Sequence, residues 1–145
     1  MVERFARSLA AGCLVGVVVQ EALWTGLGML DPAGSLNRAL VSGPQQGSIW
    51  GPLLAAWLTG GFAAALMATL VGRSRWSGYG AGALMSLSAW CLCRLAWPES
   101  GALSAVAATP LLGAALGTGI ALRVLMGDET RRARPSVVTL RGLFP

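Results

Sequence analysis

The sequence predicts an all-α integral membrane protein, built as an antiparallel bundle of four transmembrane helices with both termini in the cytoplasm. Three observations predict this class: four long apolar stretches, arginine in alternate gaps between them, and 54% hydrophobic against only 12% charged residues. Roughly 20 helical residues cross a hydrocarbon layer of about 30 Å, and each stretch reaches that length. We therefore expect a transmembrane domain over 1–126 and a basic cytoplasmic tail over 127–145.

The first predicted span, Leu9–Leu30, follows a short segment that carries Arg4 and Arg7. A cleaved signal peptide is the alternative interpretation, because such peptides also place basic residues before an apolar run. No convincing small-x-small cleavage site follows this run. We therefore interpret the segment as a helix that stays in the protein.

The other predicted spans are Trp50–Gly72, Trp76–Trp97 and Gly101–Met126. Tryptophans lie at or near their ends, as expected for rings that sit among lipid headgroups. Pro110 falls about ten residues into the last span, where a proline removes one helical hydrogen bond and is expected to kink the helix. The Gly127-Asp128 pair is the expected helix stop, and the basic tail follows it.

The distribution of arginine predicts the orientation. Positive charge marks the amino terminus, the connector with Arg73 and Arg75, and the tail. The positive-inside rule places these three segments in the cytoplasm. The connector Asp31–Ile49 and the turn after the third span are then outside.

Composition and motifs argue against several functions. The net charge of +5 comes from arginines that flank spans, so nucleic-acid binding is not expected. There is no histidine, no phosphate-binding glycine loop and no nucleophile–base pair. The three cysteines, Cys13, Cys91 and Cys93, lie inside predicted spans and do not form a metal-ligand pattern. We expect no enzymatic activity, no cofactor and no metal site.

Small residues four apart occur on every predicted span. In a membrane, burial alone does not drive helices together, and small residues allow close backbone contact instead. On the first, third and fourth spans these are the glycine pairs Gly12 and Gly16, Gly78 and Gly82, and Gly113 and Gly117. On the second span, Gly60 pairs with Ala64 and Gly61 with Ala65, and the sequence therefore predicts tight helix packing at all of these glycines.

Glu21 is the only acid well inside a predicted span, and a charge at the bilayer centre costs about 2.5–3.5 kcal/mol on insertion scales. Three interpretations remain open: Glu21 couples a proton or cation to a substrate, forms an intramembrane ion pair with Arg94, or meets a polar group of another subunit. Gln20, Thr59 and Thr109 are its predicted polar neighbours at similar depth.

The predicted tail carries four arginines that are candidates for contact with anionic lipid or a partner: Arg131, Arg132, Arg134 and Arg141. The basic residues are all arginine, and alanine and glycine are abundant, which indicates a GC-rich coding sequence and a bacterial source. The expected protein is a non-catalytic accessory or assembly subunit of a larger inner-membrane complex, in contact with lipid and with other subunits or copies of itself. The alternative is a small homo-oligomeric transporter or channel that uses Glu21 for coupling.

Overall fold

The computed structural model describes residues 2–31, 34, 35, 38, 50–96 and 103–132. These ranges contain four helices: α1 (Val2–Met29), α2 (Trp50–Gly72), α3 (Arg75–Ala96) and α4 (Leu103–Arg132). The predicted all-helical bundle is confirmed. Three segments of the described chain are long and apolar enough to cross a membrane: Val2–Met29, Trp50–Gly72 and Ala108–Asp128. The exception is α3, which includes three serines and two arginines.

The end of the last helix differs from the prediction. No helix stop occurs at Gly127-Asp128, because α4 continues to Arg132. A glycine at the end of a helix caps it by adopting a positive φ, and Gly127 does not do so. Within a continuing helix a glycine costs only about 1 kcal/mol relative to alanine, so the helix extends past Gly127. Arg131 and Arg132 are thus helical in backbone, whereas Arg134 and Arg141 lie outside the described residues.

The α1–α2 connector, residues 30–49, is described only in part. Ser35 donates a side-chain hydrogen bond to the Asp31 carboxylate at 2.8 Å, and the Arg38 amide donates to the Gly34 carbonyl at 3.0 Å. Ser35 and Arg38 are helical, and most of the connector lies outside the described residues.

Consecutive helices run antiparallel, as the positions of close approach show. A Cβ atom placed on Gly12 of α1 would lie 2.5 Å from the Ala64 carbonyl oxygen of α2, and one on Gly16 would lie 2.8 Å from the Gly60 carbonyl oxygen. Residue numbers rise along α1 as they fall along α2. The α3–α4 pair behaves in the same way, since Gly78 faces Thr118 and Gly82 faces Ala114.

The second and fourth helices are parallel and in extensive contact. Gly113 of α4 faces Leu58 and Phe62 of α2, and Gly117 faces Phe62 and Leu66. In addition, α2 packs against α1 and α3, so it is the one helix that contacts all the others extensively. The outer helices α1 and α4 lie on opposite sides of the bundle and make at most marginal contact within the described residues.

The core is built mainly from small side chains. Many of the buried residues are glycine, alanine, serine or threonine, and α1 buries only Ser8, Gly12 and Gly16. Large aliphatic side chains point outward instead, as Leu14, Leu87 and Leu116 do. Soluble domains show the reverse distribution, with the large aliphatic residues inside.

Candidate functional site

Glu21 lies on the outward side of α1. The buried residues of α1 recur every four positions, at Ser8, Gly12 and Gly16, and Gln20 continues that row. Because each residue turns the helix by about 100°, Glu21 falls beside the row, and it is exposed. Val18 is also exposed on this side, 58% of its surface being accessible. Glu21 is therefore an exposed acid on an otherwise apolar side of the helix.

A cavity of about 280 Å³ lies beside Glu21, between α1, α2 and α3. Its walls combine one acid, one amide, two indole rings and apolar side chains. The residues that define it are Gln20, Glu21 and Trp24 of α1, Leu53 and Trp57 of α2, and Cys93 of α3.

Trp57 carries an unusual feature of this cavity. Its side chain is buried, with 4% of the residue exposed, and its indole Nε1 has no hydrogen-bond partner among the described residues. A buried N–H without an acceptor costs about 1–3 kcal/mol. The indole N–H is thus a buried donor without an acceptor among the described residues, on a residue that also lines the cavity.

Gln20 is held against the backbone of α2. Its Cβ and Oε1 atoms lie 3.2 and 3.3 Å from the position that a Cβ on Gly60 would occupy. The absence of a side chain at Gly60 is what allows the amide to lie there. This places a polar group at the inner end of the cavity, next to Glu21.

Arg94 does not line this cavity within the described part of the chain. Its guanidinium lies 5.8 Å from the centroid of the Trp90 ring, so the cation–π contact expected from their spacing on α3 is present. The salt bridge found among the described residues joins Arg7 to Glu3 at 2.6 Å, at the exposed start of α1. An ion pair between Glu21 and Arg94 stays a prediction.

The two threonines predicted near Glu21 are not among the described residues that line the cavity. The Thr59 hydroxyl donates to carbonyls of its own helix, at 2.8 Å from Ala55 and 3.1 Å from Ala56. Thr109 is half-buried on α4, on the far side of α2 from α1. Of the predicted polar neighbours, the structure brings Gln20 alone into the cavity among the described residues.

The eight predicted packing glycines all lie at helix contacts. A Cβ on any of them would meet an atom of another helix at 3.2 Å or less. Three of these contacts between α2 and α4 are to backbone atoms: Gly113 on the Leu58 carbonyl, Gly117 on the Phe62 carbonyl and Gly61 on the Pro110 carbonyl. Gly119, in contrast, faces open space.

A second polar cluster lies in the core, away from Glu21. The Oγ1 atoms of Thr69 and Thr118 converge on Gly78, and both are buried without a hydrogen-bond partner among the described residues. Nearby, the Ser8 and Ser77 hydroxyls are hydrogen-bonded at 3.1 Å. The sequence did not predict this cluster or the buried Trp57 indole, because neither forms a recognisable motif. The one feature of the sequence that could have indicated them is a polar or aromatic residue deep inside a predicted span.

The cysteines do not form a ligand set. Cys13 is half-buried, Cys91 exposed and Cys93 buried, and all three are free thiols. Within the described ranges, no three acids or cysteines lie close enough together to hold a metal ion.

The chain matches no protein-family model, and neither the curated proteins nor the solved structures provide a significant match.

Proposed function

We propose that this protein is a non-catalytic subunit of a larger complex in the bacterial inner membrane, and that a transmembrane helix of a partner covers Glu21. The observation that carries the proposal is the exposed Glu21 carboxylate on α1, a helix long and apolar enough to cross a membrane. The partner helix would present an arginine, a lysine or several hydrogen-bond donors to this acid.

Four membrane spans are supported by the distribution of side-chain size. Outward-facing leucines and valines suit contact with lipid tails, and the inward glycines and alanines permit the close backbone contact on which helix association in lipid depends. Although α3 is less apolar than the others, it is packed along α2 and α4. If those two helices cross the membrane, α3 crosses with them. The arginines then place both termini in the cytoplasm.

Energetics favour an occupant beside Glu21. An isolated carboxylate facing lipid costs about 2.5–3.5 kcal/mol, and intramembrane acids nearly always face protein, water or a counter-charge. The hydrogen bonds and ion pairs of the described residues do not engage Glu21. A partner helix that packs on α1 and presents a cation or several hydrogen-bond donors to Glu21 would remove this cost. Such a contact would also fix the position of the partner helix along α1.

Photo-crosslinking in intact membranes tests this proposal. A photoreactive residue replaces Val18, on the Glu21 side of α1, or Leu112, exposed on α4 across the bundle. We expect a discrete adduct from position 18, lost when Glu21→Gln is added and retained with Glu3→Gln, which changes an acid outside the predicted span. Mass spectrometry of the adduct identifies the partner. Equal adducts from both positions, or an adduct indifferent to Glu21→Gln, would contradict the proposal.

A second function is favoured by the cavity beside Glu21. An acid, an amide and two indoles around about 280 Å³ would suit a small cation, with Glu21 as the coupling residue of a homo-oligomeric transporter. This alternative requires that the purified protein alone moves a cation across liposomes. Glu21→Gln must abolish that flux while Glu3→Gln leaves it intact; a protein that moves no cation supports the subunit role instead.

A further inference from the structure

We propose that the amino-terminal end of the bundle binds one anionic phospholipid, with its phosphate between Arg4 and the α2–α3 turn. A cavity of about 780 Å³ opens at this end. The start of α1 contributes Val2, Arg4 and Phe5 to its lining, and the turn and the first residues of α3 contribute Ser74, Trp76 and Ser77. The inference rests on the membrane insertion proposed above, but not on a partner subunit or on Glu21.

The charges around this cavity favour a phosphate. Arg4 lines it, and Arg73 and Arg75 flank the lining residue Ser74. The nearest acid along α1, Glu3, is held by Arg7 at 2.6 Å, so its charge is already balanced by a different arginine. Among the described lining residues there is no acid. Arginine guanidinium groups bind phosphate oxygens through paired N–H donors.

The apolar side of the same cavity favours a lipid over a soluble phosphate. Val2, Phe5 and Trp76 are exposed by 83%, 41% and 65%, and all three line the cavity. The Arg75 guanidinium lies 5.4 Å from the centroid of the Trp76 ring, which places a cation beside an interfacial indole. A phospholipid would fill both parts, with its headgroup at the arginines and its acyl chains along the apolar side chains.

The floor of the cavity is fixed by hydrogen bonds. Ser77 is buried, and its hydroxyl is bonded to that of Ser8 at 3.1 Å. Ser8 also donates to the Phe5 carbonyl at 2.7 Å, so α1 and α3 are joined directly below the opening. A Cβ on Gly72 would lie 2.9 Å from the Ser77 Cβ, so the turn is closely packed as well. The site is therefore held in place before the lipid binds.

Arg73 provides a second argument. It adopts φ 49°, in the left-handed region that glycine enters without steric cost. An arginine here keeps a positive charge next to the lining residue Ser74 despite the unfavourable backbone. This allows a sharp test, because Arg73→Gly relaxes the backbone and removes the charge in one substitution.

The test uses the purified full-length protein in detergent. Native mass spectrometry measures binding of phosphatidylglycerol and of phosphatidylcholine with the same acyl chains. We expect one phosphatidylglycerol to bind in preference, and Arg4→Gln and Arg73→Gly each to weaken it by about fivefold, the effect of one arginine near an anionic headgroup. The matched control is Arg123→Gln, exposed on α4, which should change affinity less than twofold.

Four results would overturn the proposal. One is equal binding of the two lipids. Another is an equal loss with Arg123→Gln, which would indicate diffuse attraction without a site. Displacement of the lipid by millimolar inorganic phosphate would indicate a soluble anion site. The last is unchanged lipid binding in both Arg73→Gly and Arg4→Gln, when circular dichroism shows that the variants keep their helix content. This would show that neither arginine contributes to the site. Membrane insertion itself is checked separately by carbonate extraction.

Discussion

Gly61 of α2 packs directly on the backbone of Pro110 in α4. A Cβ at Gly61 would lie 2.6 Å from the Pro110 Cα and would collide with the Pro110 carbonyl oxygen. Backbone atoms cannot move aside as a flexible side chain can. This contact is one of several close approaches between the two parallel helices, and α4 continues as one helix through the proline. The kink expected at Pro110 stays a prediction.

The first prediction concerns this contact. Gly61→Ala should lower the free energy of unfolding by about 1–3 kcal/mol, the usual cost of an overpacked core, because the methyl group has no space between α2 and α4. Unfolding in mixed micelles by a denaturing detergent measures the change. The control is Gly119→Ala on α4, where a Cβ would meet nothing within 4 Å.

We expect Gly119→Ala to be neutral or to raise stability by about 0.5–1 kcal/mol, the helix preference of alanine over glycine. If Gly61→Ala and Gly119→Ala changed the free energy of unfolding equally, that result would contradict the close packing of α2 on α4.

The second prediction concerns the unpartnered hydroxyl of Thr118. Thr118→Val keeps the side-chain shape and removes a buried polar atom that has no hydrogen-bond partner among the described residues. Stability should therefore be unchanged or rise by up to about 1 kcal/mol. The same unfolding assay measures it.

Ser77→Ala is the contrasting substitution, because the Ser77 hydroxyl is bonded to Ser8 at 3.1 Å. It should lower stability by about 0.5–1.5 kcal/mol. A large loss on Thr118→Val would show that the Thr118 hydroxyl has a partner, for example a bound water molecule.

The third prediction separates the contacts of Arg94. A double-mutant cycle of Arg94→Gln with Trp90→Leu should give a coupling energy of about 0.5–1 kcal/mol, as expected for a cation over an exposed ring. A second cycle combines Arg94→Gln with Glu21→Gln. If a partner subunit covers Glu21, the second coupling should be smaller than the first in the isolated protein.

A larger second coupling, together with partial recovery of stability when the two charges are exchanged, would favour the intramembrane ion pair between Glu21 and Arg94. The partner helix would then be unnecessary as an explanation for the acid.

The fourth prediction tests the topology. Single cysteines are placed at Val2, Ser35 and Gly127 in a protein whose native cysteines are replaced by alanine. A membrane-impermeant maleimide should label position 35 in intact cells or spheroplasts, and positions 2 and 127 only after lysis. Labelling of position 2 or 127 from outside would contradict the predicted topology, in which the arginine-rich segments lie in the cytoplasm.

Glu21 shows how much of the candidate site was predictable. Its type and its place in an apolar stretch identified it, because a carboxylate is costly there in any fold. The Trp57 indole and the cavity beside it were not predictable, since a tryptophan in an apolar segment gives no sign of whether its N–H finds an acceptor. Depth along a helix does not specify which side of the helix a residue occupies, so the sequence could not show that Thr59 is absent from the residues that line the cavity.

The helices of this protein follow from local features of its sequence. Unbroken apolar stretches such as Trp50–Gly72 favour helices that satisfy their own backbone hydrogen bonds, and the glycines within them indicate where helices can come close. Packing in three dimensions is what brings Gly61 onto Pro110, leaves Glu21 exposed beside a cavity, and carries α4 past Gly127. The preference of a segment for helix depends on residues close to it in the chain. The register between two helices, and the side of a helix that faces its neighbour, depend instead on how all four helices pack together, which no single segment specifies.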